Sequence, residues 1–313
     1  MTFAFIFPGQ GSQAVGMGQD LAATFSVAAE VFQTIDDALG ENLSKVMFEG
    51  PEDALTLTEN AQPALMAVSL AVIRVLESEG GLDLGSKVKY VAGHSLGEYS
   101  ALAAAGTFSL SDAARLLKTR GLAMQKAVSV GEGAMAALLG LNMDAARKVA
   151  DEAGQGEICT TANDNAEGQV VISGAKTAVE RAMLIAKDYG AKRGILLPVS
   201  APFHCALMAP AADIMAEALS SVRMNAPVVP LVANVTASEV SDAAEIRRLL
   251  VEQVTGMVRW REGVLFMRAK GVDQLVEIGT GKVLSGLARR IDRDMTAQSV
   301  GTPEDVEAFL KSL

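Results

Sequence analysis

The sequence predicts an α/β protein: a mostly parallel sheet with helices on both faces, interrupted by a small inserted βαββαβ domain. Three observations carry that reading. Residues 88–106, VKYVAGHSLGEYSALAAAG, read as a strand, a sharp turn and a helix. The other short apolar strands, at Thr2 to Phe7, Pro227 to Val235, Gln274 to Ile278 and Gln298 to Val300, alternate with helix-period segments, the pattern of a sheet with helices on both faces. Between Gly133 and Val199 the order becomes strand, helix, strand, strand, helix, strand, which is the ferredoxin-like arrangement. Residues 129–198 are therefore assigned to a small domain, and 1–128 with 199–313 to the larger, discontinuous one.

Taken in order, Thr2 to Phe7 runs into a glycine-rich loop, Pro8-Gly9-Gln10-Gly11-Ser12-Gln13. Gly9, Gly11 and Ala14 match the dinucleotide fingerprint, which needs a second strand carrying an acid about 20 residues on. Glu30 sits near that distance, but Asp20 to Leu39 has helical periodicity, so the loop is read as one that holds backbone N–H groups open for an anion. Residues 41–80 are helical, with Asn60-Ala61-Gln62-Pro63 opening an apolar helix through about Glu77. Its most apolar part, Ala64 to Leu76, is too short to span a bilayer. After the strand at Val88, the alanines at 101, 103, 104 and 105 let a helix lie close against the sheet before Gly106 stops it.

Ser111 is expected to cap the next helix, which runs to about Ala127 with Ala113, Leu116, Leu117, Met124 and Ala127 on its apolar face. Within the inserted domain the strands are Gly133 to Leu141, Ile158 to Ala162, Gln169 to Gly174 and Arg193 to Val199, with helices at Asp144 to Ala153 and Lys176 to Tyr189. Helices at Ala211 to Val222, Glu245 to Thr255 and Arg261 to Lys270, then a terminal helix, complete the larger domain. Gly279-Thr280-Gly281-Lys282 resembles a phosphate loop only superficially, since Val283 stands where Ser or Thr should hold magnesium.

Half of the 313 residues are hydrophobic and 20% are charged, the composition of a folded protein. A formal net charge of −10 argues against nucleic acid or an anionic membrane as partner. Two cysteines, Cys159 and Cys205, are too few for a disulfide framework or a thiolate metal site. MTFAFIFPGQ has no positive n-region and too short an apolar run for a signal peptide, so a cytoplasmic protein is expected.

The chemistry centres on Gly93-His94-Ser95-Leu96-Gly97, which fits G-x-S-x-G. That pattern lifts a serine hydroxyl out at the end of a strand, with the N-terminus of the following helix behind it. Ser95 is thus the candidate nucleophile. A serine needs a base, and the chain has two histidines, His94 and His204. At a sharp turn successive side chains diverge, so His94 is poorly placed to take the proton; His204, on the proline-restrained loop Ser200 to His204, remains. Asp164, Asp188 and Asp213 are possible third members, and a dyad oriented by a main-chain group is an equal alternative. The N–H of Leu96 is one oxyanion donor by the geometry of the turn, and the Pro8 to Gln13 loop offers Gln10 as the other. Arg120 falls on an apolar helix stripe whose neighbours offer it no anion. It requires a partner from elsewhere, either a structural carboxylate or one on the substrate.

Several motifs together, PGQGSQ at 8–13, GHSLGEYSAL at 93–102, Arg120 with Met124, NDNAEGQVVISG at 163–174, PFHCALM at 202–208, Glu252-Gln253 and EIGTGKVLSGL at 277–287, resemble malonyl-CoA:acyl carrier protein transacylases of type II fatty acid synthesis. The likeness runs from end to end, with the motifs in order. It implies an α/β-hydrolase-like core with a ferredoxin-like insertion, Ser95 as nucleophile and His204 as base. It also implies the N–H groups of Gln10 and Leu96 as oxyanion hole, Arg120 as clamp for the malonyl carboxylate, and the carbonyl of Gln253 as the group orienting His204. Phe203 resembles the version of this position associated with malonyl units. The implied reaction is ping-pong, with malonyl-CoA and acyl carrier protein as partners, no cofactor, no metal and a monomeric chain. The nearest rival is a serine esterase or thioesterase, which shares the elbow, base and oxyanion hole and differs only in the acceptor.

Overall fold

β1 (Phe3–Phe7) is apolar throughout because both of its faces are covered: Phe5 and Phe7 join one core cluster and Ala4 and Ile6 another. Such unbroken apolar strands belong to parallel sheets packed by helices on both sides. The computed structural model describes residues 2–312. In it, β1 lies between β2 (Val88–Gly93) and β9 (Gln274–Ile278), in a six-stranded sheet of order β10-β9-β1-β2-β7-β8. β10 is Thr296–Val300, β7 is Leu231–Val232 and β8 is Glu239–Val240. All neighbours are parallel except β7 and β8.

One face of this sheet carries α2 (Ser26–Leu39), α5 (Thr58–Gly80), α7 (Gly97–Ala104), α8 (Leu110–Lys126), α11 (Ala209–Ser220) and α12 (Ala243–Thr255). The other carries α13 (Trp260–Ala269) and α14 (Val283–Ile291). Short helices α1 (Gln19–Thr24), α3 (Leu43–Glu49), α4 (Glu52–Thr56) and α6 (Leu84–Lys87) fill the connections, and α15 (Pro303–Leu310) packs Phe309 against Phe3 and Phe5.

A second, antiparallel sheet has the order β4-β5-β3-β6, with β3 at Gly133–Leu139, β4 at Cys159–Ala166, β5 at Gln169–Ala175 and β6 at Arg193–Leu196. α9 (Met143–Gly154) and α10 (Lys176–Ile185) cover one face, where Ala134, Ala136 and Leu138 build a separate core with Val149, Ile172 and Val179. The alternate residues Met135 and Ala137 face the larger unit. β4 also reaches across: Asp164 N donates to Val258 O, Val258 N donates to Ala162 O, and the Asp164 carboxylate receives Arg261 Nε at 3.0 Å.

The structure differs from the sequence expectations at several boundaries. The segment from Asp20 to Leu39 is two helices broken at an extended Phe25. α8 is capped by Ser109, whose Oγ accepts from Asp112 N at 3.1 Å, because Ser111 already lies inside the first turn. The strand expected over Pro227 to Val235 shrinks to two residues: its prolines have no N–H to give, and after Val232 the chain turns on Ala237 N to Ala233 O into β8. The apolar stretch from Ala64 to Leu76 lies in a 23-residue helix, α5, long and apolar enough to cross a membrane by length and composition. Yet 83% of its most apolar window is buried inside the protein, and Ser69 donates to Ile278 O within the core.

Candidate active site

The elbow is held by close packing. A Cβ at Gly93 would run into the backbone of Gly97, and one at Gly97 into the Phe7 carbonyl of β1, so both positions need glycine. Between them Ser95 sits in the left-handed region, at φ 55°, a conformation costly for a residue with a side chain. Asn234 supports it, accepting from Ser95 N at 2.8 Å and donating to Gly93 O at 2.7 Å. The hydroxyl thus stands at the C-terminal end of β2 and the start of α7, on the wall of a cleft of about 460 Å³ lined by Gln10, Leu96, Arg120, Phe203 and His204.

His204 faces Ser95 across this cleft, its Nε2 2.8 Å from Ser95 Oγ. Its Nδ1 meets two carbonyl oxygens, Gln253 O at 2.9 Å and Gly256 O at 3.1 Å. Carbonyls only accept, so Nδ1 carries the proton and Nε2 keeps a lone pair for the serine O–H. His204 is only 4% exposed; burial, with the Arg120 charge next, pushes its pKa down to about 3. The ring therefore stays neutral in the resting site. Like Ser95, His204 has a positive φ, 59°. No acid completes a triad among the described residues: Asp164 is bound to Arg261, and Asp188 and Asp213 are exposed. Of the two orienting alternatives, the main-chain one is present.

His94 points elsewhere. Its Nε2 lies 2.8 Å from Asn165 Oδ1 and its ring packs on Trp260, with centroids 5.7 Å apart. The divergence expected at the turn is thus realised. Gln10 and Leu96 both line the cleft together with Ser95, and among the described residues the main-chain N–H of neither donates to a protein acceptor.

Arg120 is 1% exposed. Nη1 donates to Gln62 Oε1 at 2.8 Å, while Nη2 donates to Gln253 Oε1 at 2.8 Å and Ser95 Oγ at 3.1 Å. Nε has no partner among the described residues, and the guanidinium lies 5.7 Å from the Tyr99 ring centroid. Every protein partner is neutral, so among the described residues the structural carboxylate that sequence reasoning kept open is not in contact with it. Burial pulls the Arg120 pKa below its ordinary value, which expresses the same shortage of negative charge.

Sequence reasoning missed Gln62, Glu98, Asn165, Asn234 and Gly256. Glu98 is a fully buried carboxyl on the first turn of α7, 2.5 Å from Gln253 Nε2, and burial raises its pKa to about 7. Gln62 stood in the NAQP segment and Glu98 in the elbow motif, but no periodicity marked either as a site residue. No group of three or more His, Cys, Asp or Glu side chains able to hold a metal ion occurs among the described residues.

A family model described as the acyl transferase domain matches residues 4–304. The chain belongs to the acyl transferase domain family. Its relatives include the malonyl CoA-acyl carrier protein transacylase of Escherichia coli (strain K12), 46% identical over 309 residues and covering 99% of both chains. A crystal structure of acyl-carrier-protein-S-malonyltransferase from Bartonella henselae superposes with a TM-score of 0.97 at 59% identity, covering 100% of this chain and 99% of that one. A malonyl-transacylase solved in complex with its type II PKS acyl-carrier protein superposes with a TM-score of 0.96 at 44% identity over 100% of both chains. Within this acyl transferase family, the resemblance read from the motifs and the fold therefore coincide over the whole chain.

Proposed function

We propose that this chain is a malonyl-CoA:acyl carrier protein transacylase, moving malonyl from CoA to the phosphopantetheine thiol of acyl carrier protein for fatty acid synthesis. The observation that carries the reading is Arg120: a buried guanidinium 3.1 Å from Ser95 Oγ, touched only by neutral protein groups. A planar fork of that kind grips a carboxylate through two hydrogen bonds. A malonyl group brings the carboxylate; an acetyl group leaves the charge unpaired. The relatives named above, one of them in complex with acyl carrier protein, support the substrate and the acceptor.

In this mechanism Ser95 Oγ attacks the thioester carbonyl while His204 Nε2 takes its proton, and the N–H groups of Gln10 and Leu96 receive the oxyanion. The tetrahedral intermediate collapses, the C–S bond breaks, and CoA leaves with a proton from His204. The carrier thiol then attacks the malonyl-serine ester by the reverse path, and Ser95 recovers its proton. Gln253 O keeps the His204 tautomer fixed throughout. Substrates and side chains supply every atom in these steps, so no cofactor is required.

Ser95 at the C-terminal end of a parallel strand supports an α/β-hydrolase-like core formed by 1–128 and 199–313. Strand order β4-β5-β3-β6 with two helices on one face supports a ferredoxin-like domain at 129–198. We place the enzyme in the cytoplasm as a monomer, a setting that suits its two free, buried cysteines.

Intact-protein mass spectrometry after mixing with malonyl-CoA tests the reading. The expected result is one malonyl adduct on the native chain and none on Ser95→Ala; an adduct that persists in Ser95→Ala removes Ser95 from the mechanism.

A further inference from the structure

Gln253 does more at this site than offer a carbonyl. Its main-chain oxygen accepts from His204 Nδ1 at 2.9 Å, and its side-chain Oε1 accepts from Arg120 Nη2 at 2.8 Å. One residue therefore holds both, the base through its main chain and the cation through the way its side-chain amide faces. If the amide turned over, its NH2 would meet the guanidinium, donor against donor, and Oε1 would face acceptors. What fixes the amide lies on its far side. Nε2 donates to Glu98 Oε2 at 2.5 Å and to Ser95 O at 2.9 Å, and the latter oxygen is already taken by Glu98 N at 3.1 Å.

Glu98 itself is built in. It is 1% exposed, its other oxygen receives Asn234 N at 3.4 Å, and it stands in the first turn of α7, where the helix end favours a carboxylate. It makes no direct ion pair with Arg120; the Gln253 amide lies between them. A buried acid with no substrate contact and no ion pair is costly to retain unless it serves another group. Its only side-chain partner among the described residues is Gln253.

We infer that Glu98 is a positioning residue: by anchoring the Gln253 side chain it aims the Arg120 fork through the amide and steadies the main-chain oxygen that orients His204 toward Ser95. The inference rests on the transacylase reading for its kinetic consequence but not for its geometry. Leaving the buried Gln253 N–H donor without this acceptor costs about 10- to 100-fold in an equilibrium, and the loss falls unevenly. Malonyl transfer needs Arg120 aimed, whereas acetyl transfer does not.

The test uses two full-length variants. Glu98→Met keeps volume without an acceptor; Glu98→Gln keeps an acceptor toward Gln253. For Glu98→Met, the ratio of kcat/KM for malonyl-CoA to that for acetyl-CoA should fall about 10-fold or more; Glu98→Gln should recover most of it. A purely structural role would lower both substrates in parallel with the melting temperature. In 15N-histidine NMR, simplified by the presence of two histidines, the His204 Nδ1–H resonance should shift or broaden in Glu98→Met and stay in Glu98→Gln. Retention of the native malonyl preference and an unmoved resonance in Glu98→Met overturn the inference. So does a Glu98→Gln variant that folds but loses both, and that variant alone decides the matter if Glu98→Met does not fold. A native chain with no malonyl preference whose resonance follows the expected pattern sinks the transacylase reading and leaves the positioning role standing.

Discussion

The two walls of the cleft are made of different materials. The wall from the parallel sheet brings Ser95, His204 and Arg120, each fixed by several polar contacts. The wall from the antiparallel sheet brings Met135, Leu197 and Pro198, with Asn163 as its polar side chain. Proton transfer and oxyanion binding fail when atoms stray by a fraction of an ångström, so these groups sit on elements clamped by a sheet with helices on both faces. Shaping a pocket and keeping water from the acyl-serine need volume and apolar surface, which a smaller unit with its own core supplies. The division predicts that changes on the first wall alter chemistry and changes on the second alter binding.

The sharpest way to break that comparison uses the two histidines, one bonded to Ser95 and one reaching across to the smaller unit. His204→Ala should lose about 10² to 10⁴ in kcat, the value of a positioned base. His94→Ala, which removes a bridge to Asn165 on β4, should lose less. Steady-state rates with malonyl-CoA and acyl carrier protein decide it; the opposite order would mean that the roles of the two histidines have been exchanged. Next, Arg120→Ala should cost about 2–5 kcal/mol in malonyl transfer while acetyl transfer loses little or gains. A parallel fall for both, with a lowered melting temperature, would make Arg120 structural.

A smaller effect concerns pH. His204 is held down at about 3 from its usual 6.5, so its neutral, competent form persists and acylation should not fall for lack of base between pH 6.5 and about 4. The unfolded chain takes up that proton below 6.5 and the native one does not, so the histidine's contribution to stability is lost as pH falls from 6.5 toward 3. Glu98 works the other way: raised from 4.5 to about 7, it binds a proton in the native state first and favours folding as pH drops through that window. Rate and melting profiles of native chain and Glu98→Gln separate the two, and an acylation rate that halves near pH 6.5 in both chains would contradict the His204 assignment. The smallest effect is expected on the outer surface. Lys187, Lys192 and Arg193 in the smaller unit and Arg289, Arg290 and Arg293 in the larger are exposed cations on a chain of net charge −10. Charge reversals there should raise KM for the acidic carrier protein and spare that for malonyl-CoA; equal effects on both would indicate a folding defect.

Legibility in the sequence follows the same divide between local and distant causes. The elbow was readable because its glycines, strand and helix lie within 19 residues of chain, and His204 because a chain with two histidines leaves few choices. Arg120 announced itself by breaking an apolar stripe. Gln62, Glu98 and Asn234 gave no such sign, since each looks ordinary in its own element and acquires a role where segments 58 to 155 residues apart converge. The boundary errors have equally local causes. Two serines two residues apart compete to cap α8, and Pro227 and Pro230 starve a strand whose valines otherwise read as β.

The position of β1 carries a consequence for how the protein comes to exist. The earliest of the described strands lies in the middle of the sheet, and one of its two neighbours, β9, begins at Gln274. α5, with 23 residues of mostly apolar surface, likewise waits for β9 and α15 to cover it, since Ser69 bonds Ile278 and Gly80 meets Leu310. Throughout most of translation the nascent chain therefore carries an unpaired strand edge and an uncovered greasy helix, the two features by which chaperones and aggregates alike recognise a client. Pairings across some 270 residues close slowly, so the yield of active enzyme in a cell depends on what guards that edge until the last strands leave the ribosome.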